Sequence, residues 1–310
     1  MVWRAALIVV ISGLMGCSSL FERRTQQDQA KIQDVPFYAR GSNGVKKRIL
    51  ILPFLDEQIN RSQKAREAAR HVVVLEILKS QAFVVVKNDD FPQDLSKFIT
   101  EENEYDLEAL ARTANGMGIA AVVEGKILEV SAKKIGDQVG IFREVKAQVE
   151  ASVRIRLASS KNARIVLDDV RHATVEAATT RIFERSFSDR YLQDDPKLVS
   201  SAVVKAFLGS IRNMILAVDK LSWEGRVAMV SGDRVYVNAG RLSGLQIGDL
   251  LKVTEDGNEI FDPESGKFIG HAPGRMKGTL EIISYFGKDG AEAVVHSGSG
   301  FQENDKVEIY

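Results

Sequence analysis

The hydrophobic and polar positions of the chain fall into three textures. From Ile49 to Leu52 the run is continuously apolar, so both faces of that strand are expected to be covered, and Pro53 ends it. Asn60 with Gln63 three residues on is a candidate helix start. The helix runs to about Lys79, with Ala65, Ala68, Ala69, Val72 and Leu75 or Glu76 at helical spacing. Phe83 to Val86 is a second buried strand. Asp106 is a candidate cap for a helix presenting Leu107, Leu110, Ala111 and Ala114, with Asn115-Gly116 as its stop. Ile119 to Val130 follows as a third strand.

The most regular texture lies between Val145 and Leu157. Val145, Ala147, Val149, Ala151, Val153, Ile155 and Leu157 alternate with polar residues, which predicts a long strand with one buried face. A hairpin turn over Ile135-Gly136-Asp137-Gln138 precedes it, and Ser159-Ser160-Lys161-Asn162 leads to another strand near 163–179. Asp195-Pro196 then opens a helix whose stripe runs from Val199 through Ala202, Val203 and Ala206 to Ile211, Met214, Ile215 and Val218. From Glu224 to Tyr310 short strands alternate with glycine turns, the third texture, which reads as a small all-β barrel or sandwich. The fold class is therefore α+β: a mixed sheet with packed helices, then an all-β domain. The domains are placed at 46–222 and 223–310.

The amino terminus changes the picture. Arg4 and the apolar run Ala5 to Ile11 form a secretory signal, too short to span a bilayer. Cys17 is the only cysteine in the chain. Leu14-Met15-Gly16-Cys17 resembles a bacterial lipobox, which implies removal of residues 1–16 and acylation of Cys17. Two or more acyl chains anchor stably, at about 0.8 kcal/mol per buried methylene. Ser18 and Ser19 follow with no aspartate, which by resemblance to sorting rules directs the protein to the outer membrane, facing the periplasm. Residues 17–45 are a polar tether. With Cys17 acylated, disulfides and thiolate metal sites drop out.

Composition and charge narrow function further. Lysine plus arginine and aspartate plus glutamate each number 42, so no global basic field exists for nucleic acid, and no basic stripe with interleaved aromatics is visible. His71, His172, His271 and His296 show no metal spacing. Asp89-Asp90, Asp168-Asp169 and Asp194-Asp195 read as turn or cap aspartates. Asn115-Gly116-Met117-Gly118 precedes a strand and is no phosphate loop, and no nucleophile elbow or HExxH sequence occurs. No catalytic residue, metal or cofactor is expected, and the chain reads as a non-enzyme.

Three motifs in the first domain, Ile49-Leu50-Ile51-Leu52-Pro53-Phe54, Phe83-Val84-Val85 and Ala120-Ala121-Val122-Val123-Glu124-Gly125, resemble the CsgG-like family and the related TolB amino-terminal domain. In the second domain, Gly244-Leu245-Gln246-Ile247-Gly248-Asp249-Leu250-Leu251-Lys252-Val253 and the Asp262-Pro263-Glu264-Ser265-Gly266 hairpin are similar to the carboxy-terminal domain of FlgT. These resemblances imply homo-oligomeric envelope assembly: FlgT proteins form a ring around the flagellar motor, and CsgG proteins form a secretion pore in the outer membrane. The primary expectation is a non-catalytic scaffold lipoprotein of a flagellar-ring-like or secretion-related machine. A CsgG-like pore is the alternative, built from segments 129–157 and 164–192. Arg143 on the apolar parity, adjacent Lys133 and Lys134, and the charges Arg181, Arg185 and Asp189 oppose it, since a lipid-facing Arg or Lys near the midplane costs about 2–4 kcal/mol. A hydrolase is the third reading. Strand edges near 145–157 and 164–175 are expected to pair between subunits.

Overall fold

The computed structural model describes residues 44–58, 61, 63–136, 145–179 and 196–310. Outside them lie the signal, Cys17 and most of the tether, Asn60, the turn residues Asp137 and Gln138, Arg143, the 181–192 segment, Asp194 and Asp195. The described residues belong to one compact unit, Ser42–Tyr310.

The sheet of the first part is mixed and contains β1 (Lys47–Ile51), β2 (Leu55–Asp56), β3 (Phe83–Val86), β4 (Ala121–Gly136), β5 (Val145–Ser159) and β6 (Ile165–Thr179). The order is β3-β1-β4-β5-β6, with β2 alongside β4. β1 pairs in parallel with β3 and β4, whereas β4, β5 and β6 form an antiparallel meander. Helix α1 (Gln63–Lys79) connects β2 to β3, and α2 (Leu107–Gly116) precedes β4. Helices α3 (Pro196–Leu208) and α4 (Ile211–Asp219) close this part.

The uninterrupted apolar run of β1 serves two cores, as its texture predicts. Ile49 and Ile51 face one cluster with Ala65, Ala69, Val73 and Ile77 of α1 and Val199, Ala202, Val203 and Phe207 of α3. Leu50 and Leu52 face the other, with Leu107, Leu110, Ala111 and Ala114 of α2. The alternating residues of β5 from Val149 to Leu157 are fully buried in the first cluster, so α3 covers the face that a membrane barrel would turn to lipid.

Several expectations need correction. The inward stripe of α1 is Ala65, Ala69, Val73 and Ile77, while Leu75 is exposed. The left-handed residue after α2 is Gly118, with φ 68°, and Gly116 is still helical. Asp168 and Asp169 lie inside β6, not in a turn. β5 is no edge, because β4 and β6 flank it throughout. The helix after 196 is interrupted at Gly209-Ser210.

The carboxy-terminal part is a closed barrel in the order β12-β13-β8-β7-β14-β9, of β7 (Gly225–Ser231), β8 (Arg234–Val237), β9 (Leu250–Thr254), β12 (Met276–Phe286), β13 (Gly290–Gly298) and β14 (Lys306–Ile309). Closure removes the open edges of a small sheet. Val227, Val235, Val237, Leu251, Val253, Leu280 and Ile282 fill its interior. β10 (Glu259–Phe261) and β11 (Phe268–His271) form a separate hairpin. Its Asp262 accepts from the backbone of Glu264 and Ser265, at 3.0 and 2.7 Å, and Gly266 takes φ 66°, the turn chemistry that its sequence implies.

Candidate functional site

The motif residues that carry the first resemblance meet in space. The ring of Phe54, just past β1, lies against Gly125 of β4: a Cβ built on that glycine would stand 2.6 Å from the ring. Phe54 in turn packs on Phe207 of α3, ring centres 4.6 Å apart. Glycine at 125 is thus the only residue that admits the ring.

On the opposite face of the sheet the strand period places charges side by side. Glu124 stands across from Arg156, and Lys126 across from Arg154. Glu124 accepts from Arg156 Nε and, at 2.8 Å, from the backbone N–H of Tyr105. Arg156 also pairs with Glu104 at 2.8 Å. Arg154 pairs with Glu104 at 3.2 Å and grips Asp168 through two bonds, of 2.7 and 2.5 Å. Arg154 therefore holds the Asp168 carboxyl below its ordinary pKa despite some desolvation. Lys126, also buried, pairs with Glu57 at 2.6 Å. The network pins the 102–105 loop to the sheet. It is an ion-pair lattice with its polar atoms occupied by one another, which is structural chemistry.

Next to that loop, at the carboxy ends of β1 and β3, a cavity of about 840 Å³ opens. Open α/β sheets commonly place ligand sites at this end of their parallel strands. Arg66, Arg70 and Tyr105 line it, with Phe54, Phe91 and Leu95 as apolar wall. Arg70 donates to the carbonyls of Ile51 (2.8 Å) and Leu52 (3.1 Å) and to Asn88 Oδ1 (3.2 Å), using Nε and Nη2. Burial lowers its pKa. Arg66 Nε is buried and has no acceptor. Burial, and then the Glu124 charge, push the Tyr105 phenol up to about 12, so it remains neutral. Sequence reading missed this cavity, because its wall is gathered from separate segments between 53 and 105.

A different kind of site lies at β6. Among the described residues no strand pairs with its outer side. Leu157 and Ala158 of β5 face Leu167 and Ile165, so Val166 is the unmatched residue of a bulge. Ile165, Val166 and Val170 are exposed, as are Leu208 and Leu216 on the neighbouring helices. A groove of about 350 Å³ between Val166, Leu167, Leu216 and Leu221 runs beside the edge. Toward the far end, Lys205 donates to the Thr174 carbonyl at 2.9 Å.

The remaining singled-out residues scatter. His71, His172 and His296 are exposed on α1, β6 and β13. His271 contacts the Gly257 carbonyl at 3.1 Å and Asn115 Nδ2 at 3.3 Å, an arrangement that a neutral ring protonated on Nδ1 satisfies on both sides. The β10–β11 hairpin is docked: Arg112 of α2 holds Glu259 at 2.8 Å and lies over the Phe268 ring at 5.0 Å. Arg226 of β7, almost fully buried, donates from two nitrogens to the Asn115 carbonyl at the end of α2, at 3.2 and 3.0 Å. Glu224 sits between Lys161 and Lys306, at 3.1 Å from each. Burial raises its pKa, but the two lysines more than offset this, and the net shift is downward.

No protein-family model matches the chain, so the CsgG-like, TolB-like and FlgT-like resemblances find no counterpart there. No curated protein matches it either. Solved structures similar to it include bacterial lipoproteins. The hypothetical protein CT253 from Chlamydia trachomatis is 13% identical, covering 56% of this chain and 98% of its own, at a TM-score of 0.34. Lipoprotein GNA1162 from Neisseria meningitidis is 13% identical, covering 54% and 99%, at 0.29. A minor lipoprotein from Acinetobacter baumannii is 9% identical, covering 57% and 95%, at 0.26.

Proposed function

We propose that the chain is a non-catalytic scaffold lipoprotein, anchored through acylated Cys17 in the outer membrane and facing the periplasm, that assembles with further copies of itself within an envelope machine. The lipobox-like sequence supports the address. The observation that carries the assembly is the edge of β6. An edge strand offers free backbone donors and acceptors to another strand, and monomeric proteins blunt such edges with charge, proline or a covering element. Here Lys205 reaches the Thr174 carbonyl and Asp168, Asp169 and Arg171 put paired charge on the strand, but Ile165, Val166 and Val170 also stand exposed along it. Apolar side chains on either side of an open ladder favour a second copy over solvent. A scaffold is favoured over a pore because α3 occupies the apolar face of β5 from Val149 to Leu157. The resemblances to FlgT and CsgG favour the flagellar or secretion apparatus as the machine.

Sedimentation velocity on the chain without residues 1–17 tests the assembly. The expected result is a concentration-dependent rise in mass that Val170→Asp abolishes while leaving the unfolding transition in place. A strict monomer at high concentration, for the unaltered chain, contradicts the proposal.

A further inference from the structure

We infer that β6 pairs with β6 of a second copy, antiparallel and about a two-fold axis at Val170, in a closed dimer with one continuous sheet. This rests on the reading that the β6 edge carries assembly, and it fixes the partner, the direction and the register. Two features interrupt the edge. The bulge at Val166 breaks the ladder on one side, and Lys205 holds the Thr174 carbonyl at 2.9 Å on the other. The stretch from Leu167 to Ala173 carries neither, and Val170 is its midpoint. An axis there brings Val166 level with Thr174 of the second copy, so both interruptions fall outside the paired stretch and the whole of it pairs with itself.

The charges select the same register. A two-fold axis between antiparallel edge strands stands perpendicular to the sheet, so the helix-covered faces of both copies stay on one side and each residue meets one of its own face. With the axis at Val170, Asp169 stands opposite Arg171 of the second copy, and Arg171 opposite its Asp169. Asp168 stands opposite His172, and Val170, exposed in the single chain, opposite Val170. Asp169 and Arg171 already pair within one strand at 2.9 Å, and the Arg171 side chain keeps 41% of its surface exposed, so the contact completes an alternating square of four charges. Moving the axis by one residue sets Asp169 on Asp169 or Arg171 on Arg171. Moving it by two sets Asp168 on Asp168 or on Glu176. Opposite charges facing each other across a ladder stabilise it and like charges destabilise it.

The test uses the full chain carrying Cys17→Ser, in which an introduced cysteine is the only thiol. Val170→Cys sets its two copies directly opposite, at the Cα separation of about 4.5–5.5 Å that an antiparallel pair has and a disulfide spans. His172→Cys sets its copies four residues apart along the ladder, about 14 Å, which no disulfide spans. Under mild oxidation Val170→Cys is expected to form the disulfide dimer about tenfold faster or more than His172→Cys. Equal rates, as parallel pairing gives, a faster reaction at 172, or no dimer from either overturns the inference. A second measurement reads the charges. Arg171→Glu and Asp169→Lys each set like charges opposite in their own dimers, whereas a mixed dimer of the two restores both pairs. Native mass spectrometry of an equal mixture is expected to show the mixed dimer in about tenfold excess over either like dimer. The statistical distribution overturns the inference, and where a charge variant does not fold the cysteine comparison alone decides. Dimers without selectivity for position or charge leave assembly through β6 standing and overturn the register; strict monomers overturn both.

Discussion

Replacing Arg156 by methionine is expected to be among the most damaging changes in the first part of the protein. The substitution preserves much of the side-chain volume and removes the charge. Glu124 is 2% exposed, and after the change it keeps only the Tyr105 N–H as a partner. An ion pair broken from one side in the interior costs up to about 3–5 kcal/mol when the surviving charge has neither water nor counter-ion; here the Arg154 charge still acts on Glu124 and offsets part of it. Changing Glu124 to glutamine as well removes that stranded charge, while its carbonyl still accepts from Tyr105. The double variant is therefore expected to be more stable than Arg156→Met alone by about 1–3 kcal/mol, the desolvation cost it avoids. Urea unfolding of the parent, both single variants and the double variant gives the cycle, provided the denaturant slopes agree. The reasoning fails if the two changes add, with the double variant losing the sum of the singles. Additivity would mean that Glu124 and Arg156 do not depend on each other for solvation.

Three further outcomes follow from other contacts. Gly125→Ala is expected to destabilise by about 1–3 kcal/mol through the Phe54 ring, and a Phe54→Leu background to recover part of the loss, both read by urea unfolding. Glu224 has a folded pKa depressed below its ordinary 4.5, so it contributes stability that is present above that value and lost as pH falls through the folded pKa. Below about pH 4.5 the parent should lose stability more steeply than Glu224→Gln, and identical slopes in unfolding against pH would show that the lysine pair is idle. Cys17→Ser is expected to yield a chain without acyl mass in the intact-mass spectrum, whereas the parent extracted from envelopes begins at an acylated residue 17.

Much of the architecture was legible because local chemistry and tertiary need coincide. A run without polar residues at 49–52, closed by Pro53, reads as a strand covered on both faces, and strict alternation at 145–157 reads as one buried face. Asp106 caps α2 through the Ala109 N–H at 3.0 Å, as its position before an apolar stripe implies. The failures have physical reasons. In α1 the consecutive Val72, Val73 and Val74 present apolar surface in several directions, so periodicity alone does not choose the buried one. Asp168 and Asp169 resemble turn residues, but Arg154 and Arg171 hold them in β6, at 2.7 and 2.9 Å. Sheet order also escapes a single sequence: that β6 and not β5 is the edge depends on β4 pairing along the length of β5. Arg66 carried no signal, since on an amphipathic helix it reads as ordinary solvated charge.

The assembly claim is tested most directly by a photo-reactive residue placed at Val170 and irradiated in intact envelopes. Self-adducts of twice the subunit mass, absent when the same residue replaces the exposed Leu242 of the barrel, are the expected result. Adducts only to unrelated proteins, or none at all from position 170, would contradict assembly along β6.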